Sequence, residues 1–266
     1  MAVDISVPLQ GKIALITGST SGMGLETARV LARNGASIAL HGLGDPADIA
    51  TILDEIGDLG VAARHFGHDL SAHEQGANLV PEVIAAMGRV DILINNAGIQ
   101  YVADIQDFPD AEWHRLIAVN LTAAFTAIRA AWPGMRDRRW GRIINTASTL
   151  AMIAEPRKAA YVSAKHGVLG LTREIALEGA ELGITCNAIC PGWVLTPLVR
   201  RQVEAKAAAL GLSFDDTVRE HFVRDLPTKR FVETEEIAAA MLFLCSEAAR
   251  SITGVALPVD GASIVV

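Results

Sequence analysis

Cysteine and aromatic residues are both sparse in this chain of 266 residues: three Cys (Cys186, Cys190, Cys245), two Tyr, four Trp and seven Phe. An odd cysteine count without paired spacing excludes a disulfide framework, and no Cys or His spacing suits a metal. The expectation is three buried, reduced thiols rather than a catalytic one, and no metal site. A cationic excess is missing too, with 23 Lys+Arg against 30 Asp+Glu and a net charge of −7. That balance lacks the basic footprint of a nucleic-acid binder. Charged residues make up only 20% against 51% hydrophobic, which excludes a disordered chain. The 23 Gly and 10 Pro are too few for a collagen or linker protein. No uninterrupted apolar run reaches the ~18 residues of a membrane span. MAVDISVPLQGK has no basic segment leading into an apolar core, so no signal peptide is expected. These absences together predict a cytoplasmic protein with no membrane or nucleic-acid partner.

The chain does contain an alternation of two patterns. KIALIT (12–17), ASIALHG (36–42), VAARHFGHDL (61–70), VDILINNAG (90–98), GRIINTAS (141–148), ITCNAICPG (184–192) and ITGVALPVDG (252–261) are short, largely apolar runs that read as strands. Between them, 25–35, 47–60, 73–88, 113–135 and 159–182 carry helical periodicity. Pro81 predicts a late start or a kink in the third of these. Nearly continuous apolar strands separated by helices imply a parallel sheet covered on both faces. The expectation is one doubly wound α/β domain, a Rossmann fold of about seven strands over residues 1–266. Two short helices at about 198–231 would be inserted as a substrate lid.

The first strand runs into TGSTSGMG, with Gly18, Gly22 and Gly24, and then into a helix. A phosphate at a helix N-terminus needs backbone N–H groups at close range, and side chains would block it. Ser19, Thr20 and Ser21 offer additional hydroxyl donors. The second strand ends in HGLGD, and no Arg or Lys lies between Ser37 and Arg64. A 2′-phosphate there would meet no cation, which favours NAD over NADP. Asp45 follows the glycines by about 20 residues; ribose contact and turn residue both remain open for it.

Five motifs in order carry a resemblance. TGSTSGMG, NNAG (95–98), Asn120, Ser148 with Tyr161 and Lys165 in YVSAK, and CPGW with Thr196 resemble the short-chain dehydrogenase/reductase family over about Gln10 to Gly261. The resemblance implies a catalytic set of Asn120, Ser148, Tyr161 and Lys165. It also implies cofactor contacts from Gly18, Thr20, Ser21, Gly22, Met23, Leu43, Asp69, Leu70, Asn96, Ala97, Gly98, Tyr161, Lys165, Pro191, Gly192, Val194 and Thr196, and a homotetramer. Tyr161 and Lys165, four apart, share a helix face. A phenol of pKa ~10 is a poor base, and a neighbouring ammonium is expected to lower it. Ser148 would hold the substrate oxygen where charge develops. Asn120 would bend its helix and hold a water linked to Lys165, as the resemblance implies.

More narrowly, GSTSGMG, HGLGD, NNAGIQ, DFPDAEW, AKHGVLG and NAICPGWVLTPLV resemble the bacterial D-3-hydroxybutyrate dehydrogenase subfamily. Gln100, Lys158 and Gln202 would then bind a substrate carboxylate, with Trp193 beside them and Ser148 and Tyr161 on the reacting oxygen. Leu150 stands where that subfamily has His, and Ser263 where it has Trp. These departures admit a larger or uncharged alcohol, or a 3-oxoacyl group, as alternative substrates. A cofactor-binding regulator without turnover is the rival of a different class.

Overall fold

The computed structural model describes residues 7–265, without the side chain of Leu198, so the reading of the first six residues as no signal peptide falls outside the described part. Seven strands form one parallel sheet: β1 Ile13–Ile16, β2 Ser37–His41, β3 Ala63–Phe66, β4 Ile92–Asn95, β5 Gly141–Thr146, β6 Ile184–Pro191 and β7 Ala256–Val259, in the order β3-β2-β1-β4-β5-β6-β7. Every pairing is parallel. Successive residues of a strand face opposite ways, and the core divides accordingly. Ala14, Ile16, Ile38, Leu40, Ile92 and Ile94 pack with α1 (Gly22–Arg33), α2 (Pro46–Gly57) and α9 (Thr234–Cys245). Leu15, Ala39, Leu93 and Ile143 pack with α3 (His73–Met87), α5 (Ala123–Arg138) and α6 (Ala159–Gly179) on the other face. Burial on both sides explains why these strands read as solid apolar runs.

Three local readings need correction. α1 begins at Gly22 rather than Leu25, because the glycine turn itself forms the first helical turn. α3 starts at His73 and runs through Pro81, with no late start. Pro81 lies on the exposed face, where water can meet the carbonyl that loses its donor. The region read as one helix from Trp113 starts at Asp110 and comprises α4 (Asp110–Ile117), a π-helical turn (Ala118–Thr122) and α5. As one stretch, Asp110–Arg138 is long and apolar enough to cross a membrane by length and composition. Its buried residues, among them Ala127, Ile128, Ala131 and Met135, pack into the core beside α3.

Between β6 and α9 lie α7 (Pro197–Leu210), α8 (Phe214–Thr217) and a π-helical turn (Val218–Phe222). This insertion has an interior of its own, with Val203, Val223, Leu226 and Phe231 buried against Trp193, Val199, Phe214 and Phe222. A single parallel bridge, Val194 to Val232, ties its two ends together.

Candidate active site

The strand order reverses at β1 and β4, and in open α/β sheets ligands sit outside the carboxyl ends of the strands at such a point. Gly18 and Gly22 have φ of +63° and +57°, in the left-handed region. At Gly24 contact is the constraint: a Cβ would lie 2.3 Å from the Gly18 carbonyl oxygen and 2.5 Å from Asn96 Nδ2. Ser21 caps α1 with no side-chain hydrogen bond. The helix N-terminus therefore presents its amides to an anion without an internal competitor at the cap.

The NNAG segment braces this turn. Thr17 Oγ1 accepts from the amides of Asn96 at 2.9 Å and Ala97 at 3.0 Å. Asn96 Nδ2 donates to the carbonyls of Thr17 and Gly18 at 3.0 and 2.9 Å. Ser19 is fully buried, and its hydroxyl serves Ile16 and His41 rather than facing a phosphate, which corrects its reading as a donor. Thr20 donates to the Leu43 carbonyl at 3.2 Å, joining the turn to the end of β2. Asn95 points into the protein, donating to Asn145 Oδ1 at 2.8 Å.

His41 is a support of the glycine turn that sequence reading missed; a polar residue ending the apolar run SIALH was its only signal. Its ring is buried between the turn and β3. Nδ1 accepts from the Gly18 amide at 3.2 Å, so Nε2 carries the proton toward the His68 carbonyl at 3.1 Å. Burial pushes its pKa down from 6.5 to about 4. Between those values the unfolded chain binds a proton that the folded chain refuses. His41 therefore stabilises the fold fully above pH ~6.5, and that contribution is lost as the pH falls toward ~4, amounting to about 3 kcal/mol. Urea midpoints at pH 7 and pH 4.5 should differ more for the wild type than for His41→Asn, and equal differences would refute this assignment.

Beyond β2, Leu43 is exposed at the rim of a shallow hollow shared with Gly42, Pro46, Ile49 and His65. Asp45 accepts from the Ala47 amide at 2.8 Å as the N-cap of α2 through Oδ1. One Asp69 oxygen is taken by Ser71, which holds that carboxyl below its ordinary range. Leu70 is buried next to Ala97 and Asn120 in a small adjoining space.

The main cleft has a volume of about 340 Å³. Its wall brings together Met23, Asn96, Gly98, Pro191, Gly192, Val194 and Thr196 with Gln100, Ser148, Lys158, Tyr161, Lys165, Trp193 and Gln202. Gly18, Thr20, Ser21, Gly22, Leu43 and Asp69 lie outside that wall; a Cβ on Gly22 would come within 3.5 Å of Thr196 Cγ2.

Tyr161 and Lys165 lie one turn apart on α6, and Ser148 follows β5. Lys165 is buried, and Nζ donates to the Thr146 carbonyl at 2.7 Å, 5.5 Å from the centroid of the Tyr161 ring. Burial lowers the lysine to about 8. Burial also raises the Tyr161 phenol, with the Ser148 hydroxyl working in the opposite direction. The expectation of a phenol lowered by its lysine is thus corrected: the ammonium is aimed at a carbonyl, and desolvation prevails. Asn120 occupies the π-helical turn, where its amide donates to the Ile99 carbonyl and accepts from the Ile99 amide, both at 2.9 Å. The three thiols are buried and pushed up to about 12, 11 and 12 for Cys186, Cys190 and Cys245, which suits packing rather than nucleophilic chemistry.

At the outer end, Lys158 is 8% exposed, and its Nζ donates to Glu155 Oε2 at 2.9 Å. Trp193 stacks edge-on against Phe222 of the insertion at 5.5 Å between centroids. Leu150 and Ser263 both line the cleft, and Ser263 turns its hydroxyl to Asp260 Oδ2 at 2.9 Å.

With this geometry in place, likeness to other proteins can be weighed. A family model described as short chain dehydrogenase matches residues 12–207. The chain belongs to that family. Two D-beta-hydroxybutyrate dehydrogenases cover nearly all of it: one from Rhizobium meliloti is 46% identical over 94% of this chain and 97% of its own length, and one from Cupriavidus necator is 47% identical over 95% and 98%. Among solved structures, an actinorhodin polyketide ketoreductase with NADPH has a TM-score of 0.87 at 34% identity, covering 99% of both chains. The doubly wound fold and the oxidoreductase class expected from the sequence both stand.

Proposed function

We propose that this short-chain dehydrogenase interconverts a secondary alcohol and a ketone with NAD, and that its substrate is a short D-3-hydroxy acid, D-3-hydroxybutyrate giving acetoacetate. The convergence of Tyr161, Ser148 and Lys165 beside Lys158 in one cleft carries this reading. Near-complete overlap with two relatives that bear that activity in their names supports it. The left-handed glycines, the uncapped start of α1 and a hollow at Leu43 that no Arg or Lys lines among the described residues fit a dinucleotide without a 2′-phosphate.

The glycine turn and the start of α1 would hold NAD, which would supply the hydride-accepting chemistry. The remaining work falls to this chain. The Tyr161 hydroxyl exchanges the alcohol proton, Ser148 donates to the oxygen where charge develops, and Lys165 supplies a buried positive charge one turn from the phenol. Gln100, Lys158 and Gln202 hold the acid group, with Trp193 as a wall. Asn120 ties α4 and α5 to Ile99 beside Gly98, where a Cβ would sit 3.1 Å from Asn120 Oδ1 and 3.7 Å from Lys165 Nζ. Residues 198–231 act as the lid of a single domain, and the protein works as a cytoplasmic homotetramer.

Purified protein with NAD and D-3-hydroxybutyrate should produce NADH absorbance. Lys158→Ala should lower kcat/KM for the acid by about 10- to 100-fold, the range of a lost charged hydrogen bond. No NADH from any of a panel of short 3-hydroxy acids would defeat the substrate assignment, and faster turnover of uncharged alcohols would favour the alternative that Leu150 and Ser263 suggest.

A further inference from the structure

Two opposite charges meet at the outer end of the cleft, and the proposed reaction uses only one of them. Lys158 is enclosed, 5.6 Å from the centroid of the Trp193 ring. Its partner Glu155 also lines the cleft, yet 46% of that side chain is exposed. The carboxylate can therefore swing into solvent, whereas the ammonium cannot follow. The loop that carries both is fixed. Arg157, between them, has a left-handed φ of +70°. For a residue with a side chain that conformation is unfavourable and persists only where the surroundings hold it. Here Arg157 Nε pairs with Asp104 Oδ1 at 3.1 Å, and its carbonyl accepts from the Ala103 amide at 3.0 Å. The nearby wall is apolar, with Leu150, Ile153, Val199 and Leu226.

We propose that Glu155 is a specificity-determining residue, an internal carboxylate that occupies Lys158 until a substrate carboxylate displaces it. This rests on the reading of Lys158 as the anchor of the substrate's acid group. Binding an acid then exchanges one carboxylate on Lys158 for another, so breaking the Glu155 pair offsets part of the affinity that Lys158 supplies. An uncharged substrate leaves the pair in place and is indifferent to Glu155.

The test uses the full-length, NAD-loaded protein and butanoate, a carboxylate with no hydroxyl to oxidise. Calorimetric titration should show Glu155→Gln binding butanoate about fivefold more tightly than wild type, the upper range for an exposed ion pair. Glu155→Ser should match it, which rules out an effect peculiar to the new amide. Adding Lys158→Ala to either variant should erase the gain. In turnover, the ratio of kcat/KM for D-3-hydroxybutyrate to that for its methyl ester should rise by a similar factor. Butanoate binding that is unchanged or weaker in both Glu155 variants overturns the proposal. If neither wild type nor variants oxidise any 3-hydroxy acid, the proposed reaction falls, while the butanoate titration still decides the role of Glu155.

Discussion

Tyr161→Phe should lower turnover by about 10³-fold, within the range ascribed to a single general acid–base group, and leave NAD binding within about twofold of wild type. The phenol touches no part of the glycine turn, and its removal leaves the Lys165 bond to the Thr146 carbonyl intact. Because burial holds the phenol above its ordinary pKa, the protonated form prevails at neutral pH. The oxidation rate of the wild type should therefore climb as the pH rises into the alkaline range, and ketone reduction should fall. The Phe variant should show neither slope. A variant that keeps a tenth of the activity with an unchanged pH profile would remove Tyr161 from the chemistry, and the regulator reading would gain ground if NAD still bound.

Gly24→Ala should weaken NAD binding by about 100-fold, which corresponds to about 2.7 kcal/mol. The added carbon cannot remain 2.3 Å from the Gly18 oxygen or 2.5 Å from Asn96 Nδ2, so the start of α1 or the Asn96 brace must shift. Overpacking of this kind costs about 1–3 kcal/mol, and the displaced groups here are the ones that shape the turn. Equilibrium titration with NAD is the direct measurement. A thermal melt gives an independent one, since NAD at about 100 times the wild-type Kd should stabilise wild type by about 2.7 kcal/mol and the variant by only about 0.4 kcal/mol. Retention of wild-type affinity would mean that the dinucleotide does not sit at this turn.

The centre of the sheet was readable because its strands are covered on both sides. Ile13–Ile16 and Ile92–Asn95 carry no polar alternation, and burial of alternate residues under opposite helix layers accounts for it. Helix starts were less readable, because the glycines of the first turn and Pro81 act through tertiary placement rather than local propensity. Tyr161, Lys165 and Ser148 were singled out by the resemblance, with spacing showing only that Tyr161 and Lys165 share a helix face. The supports around them were not: Thr17, His41 and Asn145 act through partners that lie 79, 23 and 50 residues away in the cases of Asn96, Gly18 and Asn95, and no local pattern encodes those meetings. Glu155 escaped for a related reason, since a glutamate in an exposed loop reads as solvated until the left-handed Arg157 turns it toward Lys158.

The interior formed by Val203, Val223, Leu226 and Phe231 bears on how the cleft opens. In the lid role proposed for residues 198–231, a segment filled with its own packed side chains would move as one plate, with the Val194–Val232 bridge at its base and the edge contact of Trp193 with Phe222 as the pair of rings that must part.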